Sequence, residues 1–110
     1  ARDYALAGFE DADLVIAMTR THAWAVAAYD AEAAARTFLL DELTRLGEKA
    51  GARGGEALGA WVAELDGLRP PDRLARASDE IADPAGEPIE VYRRCADRIE
   101  RSVQRLVPLL

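Results

Sequence analysis

Two short apolar runs, "DLVIAM" at 13–18 and "RTFLLD" at 36–41, bracket the alanine-rich stretch "TRTHAWAVAAYDAEA". Each run is too short for a helix and is rich in branched or bulky apolar residues, which predicts a strand buried on both faces of a parallel sheet. The stretch between them, with Thr19 and Thr21 as candidate N-caps, predicts a helix over about 20–30. Strand, helix and strand within about 28 residues form a βαβ unit, which dictates parallel strands and a right-handed crossover. That unit excludes all-helical and antiparallel architectures and sets the fold class as α/β.

The rest of the chain must cover this unit. After Asp41, a candidate N-cap, "ELTRLGEKAG" reads as a helix closed by Gly51. Beyond the glycine-rich "GARGG", Leu58, Trp61, Val62, Leu65 and Leu68 share one helical face that Pro70 and Pro71 terminate. Residues 69–83 show no long period and read as a surface loop, the most mobile part of the chain. The last helix is expected from about Pro88 to about Val107. Its apolar face holds Tyr92, Cys95, Ala96, Ile99, Val103, Leu106 and Leu110, and Arg93, Arg94, Arg98, Arg101 and Arg105 lie on its solvated side, offset by Glu90, Asp97 and Glu100. The 110 residues thus form a single domain, 1–110, with two strands where a parallel sheet normally has several. An N-terminal truncation is the expected cause, and the exposed sheet edge it would leave could pair two copies into a dimer.

Composition narrows the function. With 50% apolar and 31% charged residues the chain is globular, and no apolar run approaches the ~18 residues of a membrane span. A net charge of −6 without a basic, aromatic-interleaved stripe argues against nucleic acid. One cysteine and one histidine, Cys95 and His22, make neither an internal disulfide nor a cysteine-rich metal cluster, and a cytoplasmic location fits. Cys95 to Ser102, "CADRIERS", satisfies the Cys-x5-Arg-Ser spacing of a phosphate loop but sits in mid-helix without glycine, where its N–H groups are spent on intrahelical bonds. His22, after the first strand, stands where parallel sheets bind ligands, although a surface histidine is the simpler reading. Trp24 and Trp61 read as core residues. "GARGG" lacks the lysine and the preceding strand of a nucleotide loop.

Asp83, in "DEIADPAGEPIEVYRRCADRIE", is held extended by Pro84, with Gly86 permitting a sharp turn before the last helix. As a bare pattern this is a turn with a capping aspartate. In order, however, "ADLVIAMTRTH", "RTFLLDEL" and this segment resemble the low-molecular-weight protein-tyrosine phosphatases over nearly the whole chain except about 51–77. The resemblance implies a four-stranded parallel sheet of flavodoxin-like topology with flanking helices, whose N-terminal strand and Cys-x5-Arg-Ser loop are not in these residues. It implies phosphomonoester hydrolysis through a cysteinyl phosphate, without metal or other cofactor, on a phosphorylated protein or a small phosphomonoester. Asp83 matches the general acid, and Pro84 and Ala85 match the substrate-pocket wall. A carboxylate ionises near pH 4 in water, so a donor role calls for burial or nearby negative charge, which a bound phosphate, Asp79 and Glu80 could supply. Ala85 departs from the aromatic residue frequent in the family, which puts phosphotyrosine preference in question. Related arsenate reductases need further cysteines that this chain lacks. With no nucleophile or phosphate-binding arginine loop present, these 110 residues alone are expected to be inactive; the other reading is a noncatalytic phosphate- or partner-binding module on the same scaffold.

Overall fold

The computed structural model describes residues 12–110, and the strands and loop expected ahead of 13 lie outside the described residues. Two strands, β1 (Val15–Ala17) and β2 (Thr37–Leu39), pair in parallel with Ile16 opposite Phe38. Among the described residues, four α-helices surround them: α1 (Arg20–Tyr29), α2 (Leu40–Ala50), α3 (Leu58–Asp66) and α4 (Ile89–Leu106). The fold is mixed helix and strand with a parallel βαβ core, as the two apolar runs require. Both strands are shorter than those runs. Leu40 and Asp41 already belong to α2, and a 3₁₀ turn, Ala31–Arg36, precedes β2.

Local chemistry explains most boundaries. Thr19 caps α1, its Oγ1 accepting the His22 N–H at 3.3 Å. Asp41 is not the cap of α2: Leu39 holds that position, and Glu42 reaches back to accept the Leu39 N–H at 3.0 Å. The helix closes at Gly51, whose φ of +93° suits glycine, with its N–H on the Gly47 carbonyl. α3 ends at Gly67 rather than at the prolines, so Leu68 falls outside the helix and is exposed.

The main core joins Phe38, Leu40, Leu43, Leu46, Trp61, Val62, Leu65, Ile81 and Leu106, and a smaller cluster on the α1 side joins Val15, Val26 and Ala33. β1 is not buried on both faces, since Ile16, beside Phe38 in register, is 43% exposed. Trp61 is buried, its indole N–H on the Gly51 carbonyl, whereas Trp24 is 54% exposed against the core expectation, with the Arg20 guanidinium 5.9 Å from its ring. Along α4 the buried positions include Ser102, whose hydroxyl meets that of Thr44 at 2.9 Å, while Tyr92 and Val103, and Leu110 beyond the helix end, remain exposed. Arg98 and Arg105 pair across to Asp41 and Glu48 of α2, not with the acids of their own helix.

The segment 69–83 is not a simple surface loop. Arg69 is buried, with its guanidinium stacked 3.8 Å above the Phe38 ring. It donates to the Thr37, Ala34 and Ala35 carbonyls and to Asp66. Ile81 fills the core, and Asp79 is buried against Arg45 at 2.9 Å. The period was invisible because single residues, not a helical face, make these anchors.

Candidate functional site

The C-terminal end of β1, the start of α1 and the aspartate-proline segment converge. The Ile81 N–H donates to the Met18 carbonyl at 2.8 Å, which fastens 79–83 beside the end of β1. Glu80 accepts the Arg20 N–H at 2.7 Å and pairs with the Arg20 guanidinium, so it supplies an acidic group to the first turn of α1. From the other side, Arg98 of α4 donates to the Ser78 carbonyl at 2.6 Å and to Asp41 at 2.8 Å. The Cys95 thiol points at the Ala82 carbonyl, 3.8 Å away. A segment with no regular structure beyond one 3₁₀ turn, Ala77–Asp79, is thereby fixed to β1, α1, α2 and α4.

These anchors leave a cavity of about 290 Å³ at the strand end. Its polar lining is Thr19, His22 and Asp83. Met18, Ile81, Pro84, Cys95 and Ile99 supply an apolar wall. A ligand with a polar head and an apolar body fits that division, and the location outside the carboxyl end of a parallel strand is where such sheets bind ligands. Asp83 and Pro84, singled out in the sequence, both line this cavity. His22 is a surface residue, as expected, but one on the cavity rim. The wall residues Met18, Ile81 and Ile99 were missed because nothing in a helical or strand period marks a residue as lining a cleft. Ala85 is exposed and lies outside the cavity lining.

The geometry of Asp83 itself is that of a turn. Its Oδ1 accepts the Ala85 N–H at 3.0 Å, and the Glu87 N–H then bonds the Pro84 carbonyl at 2.9 Å across Gly86, whose φ is +83°. The carboxylate is exposed beside the cavity, with Oδ2 free of any described hydrogen bond. Asp79 and Glu80, expected to bring negative charge to it, are instead engaged by Arg45 and Arg20. Cys95 lies within α4, at the helical position its spacing predicts. Among the described residues no group of three or more His, Cys, Asp or Glu side chains is placed to hold a metal ion, and no helix is long and apolar enough to cross a membrane.

A second polar cluster lies behind the site. Glu42 is buried, and desolvation pushes its carboxyl above the ordinary glutamate range against the opposing pull of the Leu39 N–H and of Arg69. Asp66 is held below the ordinary aspartate range by hydrogen bonds from Arg73 and then Arg69, against the cost of its partial burial. The cluster's Arg69 donates to the Thr37 carbonyl of β2 and to the Ala34 and Ala35 carbonyls of the 3₁₀ turn before it. Comparison of the chain with protein-family models, with curated proteins and with solved structures finds no match.

Proposed function

We propose that these residues form the general-acid side of a phosphomonoester hydrolase of the low-molecular-weight protein-tyrosine phosphatase type, on a flavodoxin-like sheet. The observation that carries this reading is the fastening of the Asp83 segment to the end of β1, with Asp83, His22 and Thr19 around one cavity that has an apolar wall. In this reaction a cysteine thiolate attacks phosphorus, and as the phosphorus–oxygen bond breaks Asp83 gives its proton to the leaving oxygen. Asp83, now a carboxylate, takes a proton from the water that attacks the cysteinyl phosphate, releasing phosphate and regenerating the thiolate. Cys95 is in mid-helix, so the reading requires a thiolate and a phosphate-binding loop from sequence outside these 110 residues. The substrate is a phosphorylated protein or a small phosphomonoester, in keeping with a cytoplasmic enzyme.

The test is hydrolysis of an aryl phosphate by the whole protein that contains these residues. Asp83→Asn should lower kcat by ~100-fold or more, the usual size of a general-acid contribution. Turnover within a few fold of wild type would overturn the assignment. The second reading, a noncatalytic phosphate- or partner-binding module, is favoured by one specific feature: Asp83 already uses an oxygen to hold its own turn. Under that reading Asp83→Asn leaves phosphate binding in place and no turnover exists to lose.

A further inference from the structure

α4 carries two apolar stripes, and only one is covered. Cys95, Ile99 and Leu106 face the core, with Ser102 buried among them against α2. The second stripe is Ile89, Tyr92, Ala96 and Val103, with Val107 directly after the helix. At about 100° per residue these five positions fall within an arc of about 60° beside the first stripe. Ile89 is 57%, Tyr92 43%, Val103 39% and Val107 58% exposed. Steps of three, four and seven residues between successive members are those of a heptad seam. Contiguous exposed apolar surface, where it is extensive, marks an interaction site. Arg93 and Glu100 flank the stripe on its outer side, both exposed and neither in an ion pair within the described residues.

We propose that this stripe is a homodimer contact in which α4 packs antiparallel against α4 of a second copy. Charge placement selects that occupant and that direction. With the twofold axis at Asp97, Tyr92 lies within one residue of level with Val103 of the second copy, and Arg93 lies equally close to level with Glu100 of the second copy. The symmetry repeats both contacts, so each dimer gains two opposite-charge pairs at the rim of an apolar seam. A parallel arrangement sets each residue level with its own copy and forms no such cross pair. The edge of β1 is a smaller alternative: it is three residues long, and the Ile81 N–H already occupies the Met18 carbonyl at its end.

The experiment is sedimentation equilibrium of the whole protein that contains these residues over the micromolar range, with helix content and melting followed for each variant. The chain should show a reversible monomer–dimer equilibrium, and Val103→Arg should be monomeric with unchanged folding. Arg93→Glu should weaken the dimer by about tenfold or more, and Arg93→Glu with Glu100→Arg should restore it, because the swap preserves the cross pairs only in the antiparallel register. A chain that stays monomeric throughout overturns the proposal. A dimer that survives both Val103→Arg and Arg93→Glu overturns it as well, and moves the contact elsewhere, with the β1 edge next to be tested.

Discussion

Replacing Arg69 by methionine should be among the most damaging single changes outside the apolar core. Methionine keeps an apolar stem but removes every donor and the guanidinium's stack on Phe38. The guanidinium makes bonds of 2.8 Å to the Thr37 carbonyl, 3.0 Å to Ala34, 3.3 Å to Ala35 and 2.7 Å to Asp66, and lies 3.8 Å from Glu42. Asp66 retains Arg73 after the change, so its loss is partial. The buried Thr37 carbonyl loses this donor, at about 1–3 kcal/mol for an orphaned buried acceptor. Glu42 loses its nearest cation while buried, and truncating one partner of a buried pair costs about 3–5 kcal/mol. These terms overlap, so the expected loss is about 3–5 kcal/mol, against ~5–15 kcal/mol for a whole domain.

Urea unfolding followed by Trp61 fluorescence reads this directly, in a Trp24→Phe background because Trp24 is already exposed in the folded state. A fall in stability below ~1 kcal/mol with an unchanged denaturant slope would refute the claim that Arg69 satisfies the 34–37 backbone. Glu42→Gln divides the effect. Glutamine still accepts the Leu39 N–H but carries no charge, so the double variant should lose at least ~1 kcal/mol less than the sum of the two single changes. Simple additivity would mean that Glu42 does not depend on Arg69. Lysine at 69 should rescue only in part, since one ammonium cannot span three carbonyls and a carboxylate in the plane of a guanidinium.

Asp66 and Glu42 should give acid stability opposite signs. The Asp66 carboxyl is depressed in the fold, so its contribution is complete above the unfolded value near 3.8 and disappears as pH falls through the lower folded value. Glu42 is raised, so its charged form penalises the fold at higher pH, and protonation relieves that penalty as pH falls toward the ordinary value of 4.5. Urea midpoints measured across this range should show Asp66→Asn flattening the acid loss and Glu42→Gln removing the opposing gain; parallel curves for all three proteins would contradict both assignments. Gly47→Ala supplies a test of packing against propensity. Alanine favours helix by about 1 kcal/mol, but its Cβ would stand 3.2 Å from the Trp61 ring and 3.1 Å from Leu109, and the indole is tethered to Gly51. A net loss of about 1 kcal/mol is expected in the same unfolding assay, and a net gain would show that α3 can shift.

The βαβ unit was legible because strand length and apolar run length constrain each other, and because Thr19 and Gly51 are strong local punctuation. What the pattern could not convey is which apolar face has a partner. Tyr92 and Val103 keep helical spacing with Ile99 and Leu106, yet they stand in a second stripe a fraction of a turn away. Ser102, polar by type, is buried because Thr44 on the facing helix offers it a hydroxyl. Such pairings depend on residues 58 positions apart in the chain, and no window of local sequence contains them.

The same limit separates the location of the site from its chemistry. Proline and glycine around Asp83 fix a turn by backbone sterics alone, so the turn could be read in advance. Its position at the end of β1 could not, because that depends on one backbone bond from Ile81 to Met18 and on three arginines, Arg20, Arg45 and Arg98, each pairing with an acid or a carbonyl of a different element. Those arginines also remove Asp79 and Glu80 as sources of negative charge for Asp83. If Asp83 is to hold a proton, the charge that keeps it there must therefore arrive with the substrate. A bound phosphate dianion would meet that need at the moment of transfer. In the whole protein, inorganic phosphate should then bind more tightly to Asp83→Asn than to wild type, because the substitution removes a carboxylate beside the anion. Phosphate affinity unchanged by the substitution would leave Asp83 as the turn residue its hydrogen bond to Ala85 already makes it.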